Sequence, residues 1–482
     1  MEQSDSNLNT SDTMYGRTPL FWAACNGHEE VVRILLERND VNSNTASEDG
    51  RTPLSLAAGN GHERVVKLLL ERDDVNPDAA DEYGRTPLCE AVENGYEGVV
   101  RILLERSDIN PNTANINGQT PLFLAAKNGH EGVMGILLER SDFNPNTADG
   151  FGRTLFFWAA RDGHEEVVKL LLKRDDANPN TAVKYGRTPL YLAAKDGHEE
   201  TVRILLERND VNPNTVDEDG RTPLSWAAEN VHEEVVRMLL GRNDVNPNIV
   251  DKHGQTPLSF AAEDGDEEIV RILLERSDVN PNTANTFSGQ TPLSPAAENE
   301  HELVARILLK PGDVNPNPPD PSGQTPLSLA AKNGHVGAVK ILLGRNDVNP
   351  NTADEDGRTP LSWAAGNGYK LIVRILLKRN DINPDTADKD GRTPFSWAAG
   401  NGYKGIVKIL LKRNDINLDT TDHYCISAVE WAAQSGHYRI VELLRDPTDP
   451  TSRYAASPQP TDTRSPEPSE SFEPPSKRIR RF

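Results

Sequence analysis

The sequence is poor in the residues that build large cores, membrane spans and disulfide frameworks. Aromatic residues make up 6% of the 482 residues, only three cysteines occur, and apolar residues never run for eighteen positions together. Few aromatics argue against one large globular core, and the missing apolar run argues against a transmembrane helix. We therefore expect a soluble chain without a membrane partner.

What the chain does contain is a tandem repeat. The pattern G-[RQ]-T-P-L, or a close variant, begins at twelve glycines, and every step between them is 34 residues except one of 35 from Gly254 to Gly289. A thirteenth, degraded copy begins at Cys425 and keeps only the later apolar pattern. The glycines that open copies 1 to 12 are Gly16, Gly50, Gly84, Gly118, Gly152, Gly186, Gly220, Gly254, Gly289, Gly323, Gly357 and Gly391.

Each copy carries local signals for two helices, as copy 7 illustrates. Thr222 is placed to cap a helix that starts at Pro223, where the missing N–H would be unpaired in any case. Most copies end this helix at a glycine, but copy 7 has Val231, which we expect to cost local stability. A second helix then carries one apolar stripe at helical spacing: Val235, Val236, Leu239 and Leu240.

A 34-residue unit buries too little surface to fold alone, so the copies are expected to stack and share one core. The motif G-x-TPL-x-x-AA-x-x-GH-x-x-VV-x-x-LL, followed by DVN, resembles the ankyrin repeat over residues 15 to about 445. The copies are similar to the ankyrin-rich proteins of filamentous fungi, although the connector is one residue longer than usual and the familiar His after TPL is missing.

The resemblance implies an all-α ankyrin-repeat solenoid of about 13 helix-turn-helix-loop repeats and a monomeric scaffold. It also implies that protein partners bind the loop tips and the inner side of the first helices. With stacked copies about 10 Å apart, Cys25, Cys89 and Cys425 cannot reach one another and are expected to be reduced. The N-terminal stretch MEQSDSNLNTSDTM lacks the cationic start and apolar run of a secretory signal, which predicts an intracellular protein.

Three regions are predicted: a disordered N-terminus (1–14), an array (15–446) whose thirteenth copy is a degenerate cap, and a disordered tail (447–482). The ninth copy, around residues 285–323, is irregular because it has Pro295 in its first helix and Glu300 in place of the usual glycine. A bend in the array and a worn repeat are the two interpretations. Pro295 lies near the helix start and removes about one hydrogen bond, which favours the worn repeat.

The repeated residues supply no pattern for catalysis, a cofactor or a metal ion. Nine of the eleven histidines share one slot, but copies about 10 Å apart cannot share a zinc ion bound at about 2 Å. The six tryptophans share a register with Leu56 and Leu192, which indicates a packing position. Neither nucleotide-binding glycine motif occurs. We therefore expect no enzyme activity, no cofactor and no metal site.

Charge argues against direct binding of nucleic acid. The chain carries −22 in total, of which −23 falls on residues 1–446 and +1 on residues 447–482. A surface so acidic repels phosphate backbones. The expected partner of the array is a protein.

Aromatic residues in copies 1 to 6 mark a hypothetical partner site. They fall in two registers, one directly after TPL or its variant and one directly before the repeat glycine. In copies 7 to 12 the first register holds Ser, so copies 10 to 12, with acidic loops, are expected to be stabilising spacers or an electrostatic surface. We expect the two registers to form exposed aromatic rows that anchor a protein partner: Phe21, Phe123, Phe157 and Tyr191 in the first, and Tyr15, Tyr83, Phe151 and Tyr185 in the second.

The tail loses the repeat pattern, and 18 of its 36 residues are Pro, Ser or Thr. It ends in a basic cluster of the kind that import receptors bind, although a solubilising tail is the plainer interpretation. The leading hypothesis is a nuclear transcriptional co-regulator whose partner is a transcription factor; the alternative is a cytoplasmic scaffold or sensor in a signalling or innate-recognition complex. The residues predicted to bind the import receptor are Lys477, Arg478, Arg480 and Arg481.

Overall fold

The computed structural model describes residues 9–12, 14–140, 142–310 and 312–445. These described residues form 26 α-helices and one 3-10 turn, and their only β structure is three isolated bridges. The fold is therefore all-α, as the repeat pattern predicts. Residues 1–8 of the predicted N-terminal region, the predicted tail and its basic cluster at Lys477, Arg478, Arg480 and Arg481 lie outside the described residues.

The chain divides into two compact units, Met1–Thr352 and Ala353–Phe482. The first unit contains the helix pairs of copies 1 to 10. Their first helices are Pro19–Cys25 (α1), Pro53–Gly59 (α3), Pro87–Glu93 (α5), Pro121–Asn128 (α7), Leu155–Arg161 (α9), Pro189–Asp196 (α11), Pro223–Glu229 (α13), Pro257–Asp264 (α15), Leu293–Glu298 (α17) and Pro326–Asn333 (α19). Their second helices are Glu29–Leu36 (α2), Glu63–Leu70 (α4), Glu97–Leu104 (α6), Glu131–Leu138 (α8), Glu165–Leu172 (α10), Glu199–Leu206 (α12), Glu233–Leu240 (α14), Glu267–Leu274 (α16), Glu302–Leu308 (α18) and Val336–Leu343 (α20).

The second unit contains the helix pairs of copies 11 to 13. They are Pro360–Gly366 (α21) with Lys370–Leu376 (α22), Pro394–Gly400 (α23) with Lys404–Leu410 (α24), and Ala428–Gln434 (α25) with Tyr438–Arg445 (α26). Within each unit every first helix packs on the first helix of the next copy, and every second helix packs on the next second helix. Repeated helix pairs therefore stack as in an ankyrin solenoid. None of the described helices is long and apolar enough to cross a membrane.

The first helices begin where the Thr-Pro signal predicts. In α13 the N–H of Ser225 donates to Thr222 Oγ1 at 3.1 Å, and the N–H of Thr222 donates back to Ser225 Oγ at 3.3 Å. Pro223 fills the first helical position, where no N–H is needed. The stripe predicted for the second helix of this copy is buried, which confirms its core role.

A glycine between the two helices meets two demands at once. Gly197 has φ +74°, and a Cβ built on it would lie 2.6 Å from the imidazole of His232 in the next copy. That imidazole Nε2 lies 3.0 Å from the carbonyl oxygen of Lys195, so its position is set by a hydrogen bond. The glycine thus provides both the left-handed turn and the space for the neighbouring ring.

The connectors are joined by a ladder of asparagine side chains. Asn44 Oδ1 accepts the N–H of Asn76 at 2.8 Å, and Asn44 Nδ2 donates to the carbonyl oxygen of Asp74 at 2.6 Å. The amide therefore satisfies one donor and one acceptor of the next connector. The same bonds recur in later copies, so the ladder continues the stack outside the helices.

The ninth copy keeps both helices. Its first helix, α17, begins at Leu293, with Pro292 rather than Thr291 at the capping position, and Asn299 N–H donates to Pro295 oxygen at 2.9 Å. Glu300 takes the left-handed conformation with φ +66° in place of glycine. Helix α17 packs on α15 and on α19, so the irregular copy stays in the stack. The region boundaries stated from sequence remain predictions.

Candidate interaction site

The aromatic row directly after TPL is buried, so the expectation that it is exposed is wrong. Side-chain exposure in this row lies between 1% at Phe123 and 7% at Phe157. These rings therefore cannot meet a partner directly. The corrected residues are Phe21, Phe123, Phe157 and Tyr191.

Helix packing explains the burial. The residue after TPL is the third residue of a first helix, where its N–H bonds to the capping Thr, as Tyr191 N–H does to Thr188 Oγ1 at 3.2 Å. Its side chain faces the first helix of the next copy, and the Tyr191 ring meets the Trp226 ring edge to face at 5.8 Å. Burial raises the pKa of Tyr191, and the nearby Asp217 carboxylate raises it further. In later copies this position holds serine, whose side chain bonds to the helix cap instead of packing as a ring.

The second aromatic row is exposed, and it is the part of the predicted site that the structure leaves open to a partner. Its side-chain exposure runs from 42% at Tyr185 to 70% at Phe151. Each ring stands at the tip of the loop before a first helix, in copies 1, 3, 5 and 6. We call this set the loop-tip row: Tyr15, Tyr83, Phe151 and Tyr185.

Each ring of the loop-tip row is paired with the arginine two residues later. The guanidinium of Arg17 lies 4.4 Å from the centre of the Tyr15 ring, and that of Arg153 lies 4.8 Å from the Phe151 ring. The corresponding distances are 5.3 Å for Arg85 over Tyr83 and 5.2 Å for Arg187 over Tyr185. Such cation–π pairs hold a ring in place, and Tyr185 has a second cation, because Lys184 Nζ lies 4.7 Å from its ring.

Backbone bonds fix the loop tips. The N–H of Tyr83 donates to Asp81 Oδ1 at 2.9 Å, and its carbonyl oxygen accepts the N–H of Ile116 from the next loop at 2.9 Å. The Phe151 N–H donates to Asp149 Oδ1 in the same way, at 3.0 Å. Aromatic anchors on a rigid backbone lose little entropy on binding, which favours their use at an interface.

A buried carboxylate in copy 3 was not recognised from the sequence. Glu90 occupies the helix position that holds Trp or Leu in most copies and lies between two arginines, 3.2 Å from Arg85 and 3.8 Å from Arg51. Burial raises the pKa of Glu90, although both guanidinium groups oppose this shift. Arg85 also stacks on Tyr83, so the carboxylate supports the loop-tip row. The signal was a charged residue in an apolar register.

A tryptophan network was also missed. Trp226 Nε1 donates to Asp217 Oδ2 at 3.0 Å, and the Arg221 guanidinium lies 4.7 Å from the indole. Asp217 is buried although it lies in a connecting loop. The register is a packing position, as predicted, but with a polar edge. An Asp nine residues before the Trp and an Arg five residues before it are the signal in the sequence.

The histidine row makes bonds between copies. His62 Nε2 lies 3.0 Å from the carbonyl oxygen of Cys25, and His198 Nε2 lies 2.8 Å from that of Arg161. Among the described residues, no group of three His, Cys, Asp or Glu side chains is arranged to hold a metal ion. Six histidines of the row lie within hydrogen-bond distance of a carbonyl oxygen at the end of a first helix in the preceding copy: His62, His130, His164, His198, His232 and His301.

Comparison with known families agrees with this architecture. The family "Ankyrin repeats (3 copies)" matches residues 39–115, 107–183, 174–251, 242–318, 313–388 and 380–454, and the family "Ankyrin repeat" matches residues 15–46. A comparison with curated proteins finds no match.

One solved structure that matches is "Crystal structure of the ankyrin repeat domain of Bcl-3: a unique member of the IkappaB protein family". It is 26% identical, with a TM-score of 0.43, and the match covers 47% of this chain and 99% of that chain. The family matches extend over most of the chain, and ankyrin repeats are modules of protein–protein interaction. This chain is therefore an interaction scaffold that belongs to the ankyrin-repeat family.

Proposed function

We propose that the protein is a non-catalytic adaptor that binds a protein partner through the loop-tip row, acts in the nucleus and regulates transcription. The observation that carries the proposal is the row itself: four exposed rings at equivalent loop tips, each stacked on an arginine. Exposed aromatic and arginine side chains are the residue types that contribute most to protein interfaces. A transcription factor is the proposed partner.

The partner is expected to present apolar side chains, because the rings supply apolar contact. The arginines beside the rings are engaged within the array: Arg85 Nε donates to Asp81 Oδ2 at 2.9 Å, and Arg153 Nε donates to Asp149 Oδ2 at 2.7 Å. In copies 11 and 12 the same loop position holds Asp356 and Asp390, which offer no apolar contact. Binding is therefore expected at copies 1 to 6.

The test compares two sets of substitutions at one loop position. Partners are first identified by proximity labelling of the full chain, and one purified partner is then titrated. Changing Tyr15, Tyr83, Phe151 and Tyr185 to Ser is expected to weaken binding by at least about tenfold, which corresponds to about 1.4 kcal/mol. The matched control changes Asp219, Asp356 and Asp390 to Ser. Equal affinity of both variants would refute the proposed site.

The nuclear part of the proposal rests on the basic cluster at the end of the tail. A fluorescent fusion of the full chain is expected to concentrate in the nucleus and to lose this enrichment when Lys477, Arg478, Arg480 and Arg481 become Ser. Changing Arg453 and Arg464 to Ser in the same tail is the control. Unchanged localisation in the first variant would favour the cytoplasmic scaffold instead.

A further inference from the structure

The second unit carries a row of tryptophans whose edges are fixed. Trp363, Trp397 and Trp431 occupy the same position in α21, α23 and α25. Each indole Nε1 donates to an aspartate nine residues earlier at 2.8 Å. Because these N–H groups are already bonded, the indoles contribute ring surface to their surroundings rather than a hydrogen bond.

Two arginines alternate with the three indoles. The Arg358 guanidinium lies 4.8 Å from the Trp363 ring and 4.5 Å from the Trp397 ring. The Arg392 guanidinium lies 5.0 Å from the Trp397 ring and 4.2 Å from the Trp431 ring. Each guanidinium thus bridges two copies, and the alternation makes one continuous platform within this unit.

Glycines leave a cleft beside this platform. A Cβ built on Gly400 would lie 3.5 Å from Trp431 Cβ, and one on Gly366 would lie 3.7 Å from Trp397 Cβ. In copies 4 and 6 of the first unit the same helix position holds a lysine that covers the indole of the next copy: Lys127 Nζ lies 5.2 Å from the Trp158 ring, and Lys195 Nζ lies 4.3 Å from the Trp226 ring. With glycine at 400, a cleft of about 70 Å³ opens between Trp397 and Trp431.

The chemistry of this cleft favours a proline side chain. Its volume is far below the roughly 300 Å³ of a small-molecule pocket, so it suits one ring of a peptide. Aromatic grooves bind proline-rich segments because such peptides are already extended and lose little entropy on docking. The indole edges are already bonded, but Arg392 also lines the cleft and its Nε has no hydrogen-bond partner among the described residues, so the docked peptide must supply a carbonyl oxygen as well as a pyrrolidine ring.

The chain itself supplies such a segment. Residues 447–482 follow α26, the last helix of the same unit, and contain eight prolines, six of them between residues 457 and 475. About twelve residues separate Arg445 from Pro458, and an extended chain of that length can reach up to roughly 37 Å at about 3.1 Å per residue, whereas neighbouring copies lie about 10 Å apart. The segment can therefore reach the cleft.

Charge directs the segment to the second unit. Residues 457–475 contain four carboxylates and one arginine, a net charge of −3. Residues 1–352 contain 56 Asp and Glu against 33 Lys and Arg, a net charge of −23, whereas residues 353–445 contain 12 against 13, a net charge of +1. An acidic peptide is thus repelled by the first unit and not by the second.

We propose that the cleft between Trp397 and Trp431 binds the proline-rich segment 457–475 of the same chain. The proposal is independent of the loop-tip row and of nuclear import. It assigns the uniform later copies a binding role, where the sequence predicts stabilising spacers or an electrostatic surface.

A photo-crosslinking amino acid at the exposed position Gln434 of the full chain tests the proposal. The expected product is a link within one chain from position 434 to residues 457–475, identified by mass spectrometry. Excess synthetic peptide of residues 457–475 is expected to lower its yield at least threefold. Mixing isotope-labelled and unlabelled chains separates links within a chain from links between chains.

The discriminating variant is Gly400→Lys, which places over Trp431 the side chain that Lys195 places over Trp226. We expect at least a fivefold loss of the cross-link in this variant and no loss in Gly405→Lys, which adds the same charge in α24. Thermal melting of both variants checks that the array stays folded. Links only between chains, links outside residues 457–475, or a yield unaffected by Gly400→Lys would overturn the proposal.

Discussion

The two units share one backbone plan but differ in what they expose. In copies 1 to 9 the second helix begins with Glu, and loop tips carry aromatic residues in four of the first six copies. In copies 11 and 12 the second helix begins with Lys370 or Lys404, and the loop tips carry Asp356 or Asp390. The net charge of −22 therefore comes from the first unit. With the same stacked helix pairs, the first unit has an acidic surface with aromatic loop tips. The second unit has a nearly neutral surface with a tryptophan cleft.

The largest expected effect on stability distinguishes a glycine in a turn, Gly197, from a glycine beside the cleft, Gly400. Gly197→Ala in the first unit forces a left-handed alanine against His232, and we expect a loss of about 2–4 kcal/mol in the free energy of unfolding. Gly400→Ala in the second unit adds a Cβ at ordinary contact distance within a helix and is expected to gain up to about 1 kcal/mol. Urea denaturation followed by circular dichroism measures both. Equal losses would show that the cleft glycine also has a structural role.

A smaller effect is expected where both residues of the contact between the turn glycine and the ring of the next copy are replaced. Val231 stands in the glycine position with φ +60°, and the next copy has Asp266 where other copies have His or Tyr. We expect Asp266→His to destabilise the array by about 1–3 kcal/mol because the ring meets the Val231 side chain. The double variant with Val231→Gly should recover this loss. Additive losses in the double-mutant cycle would contradict the explanation.

A third prediction concerns the asparagine ladder, in which aspartate replaces asparagine at Asp78 in the first unit and at Asp385 and Asp419 in the second. Asp78 and Asp385 replace asparagine, and each accepts the next connector's N–H through Oδ2 at 2.8 Å, whereas Oδ1 takes the place of the amide donor. Neither Oδ1 has a hydrogen-bond partner within the part of the chain that the structure describes. Burial raises the pKa of both carboxyl groups. Each ionised side chain therefore weakens the ladder at neutral pH.

Asp78→Asn and Asp385→Asn are each expected to stabilise the protein by about 1 kcal/mol at pH 7. Because the folded-state pKa is raised, the penalty in the wild type is absent below the unfolded pKa of about 3.9 and grows as pH rises through the folded pKa. The advantage of the variants should thus shrink as the pH is lowered to 4. Melting temperatures from pH 4 to 8 measure it, and an advantage independent of pH would contradict the carboxylate mechanism.

The smallest effect is expected from the charge at the start of the second helices. Lys370→Glu and Lys404→Glu in the second unit restore a favourable interaction with the helix dipole. Each should raise the free energy of unfolding by about 0.3–1 kcal/mol. Lys408→Glu, in the last turn of α24, is the control and should be slightly destabilising. Low-salt denaturation measures these differences. A gain from all three substitutions would indicate general charge balance rather than the dipole.

Much of the fold was predictable because its signals are local. Thr222 and Pro223 lie next to each other at the start of α13, and the stripe from Val235 to Leu240 repeats within one helix. The sequence also predicts the left-handed turn where glycine recurs. The partner site was less accessible, since the two aromatic registers lie only a few residues apart and the sequence predicts exposure for both.

The sequence by itself determined the repeat length, the two helices of each copy, their caps and the family. Only the tertiary structure decided that Phe123 is buried and Tyr83 exposed, and that Gly400 opens a cleft at Trp431, 31 residues away. The physical reason is that caps and turns depend on neighbours in the chain. The exposure of a side chain depends on what the next copy places against it.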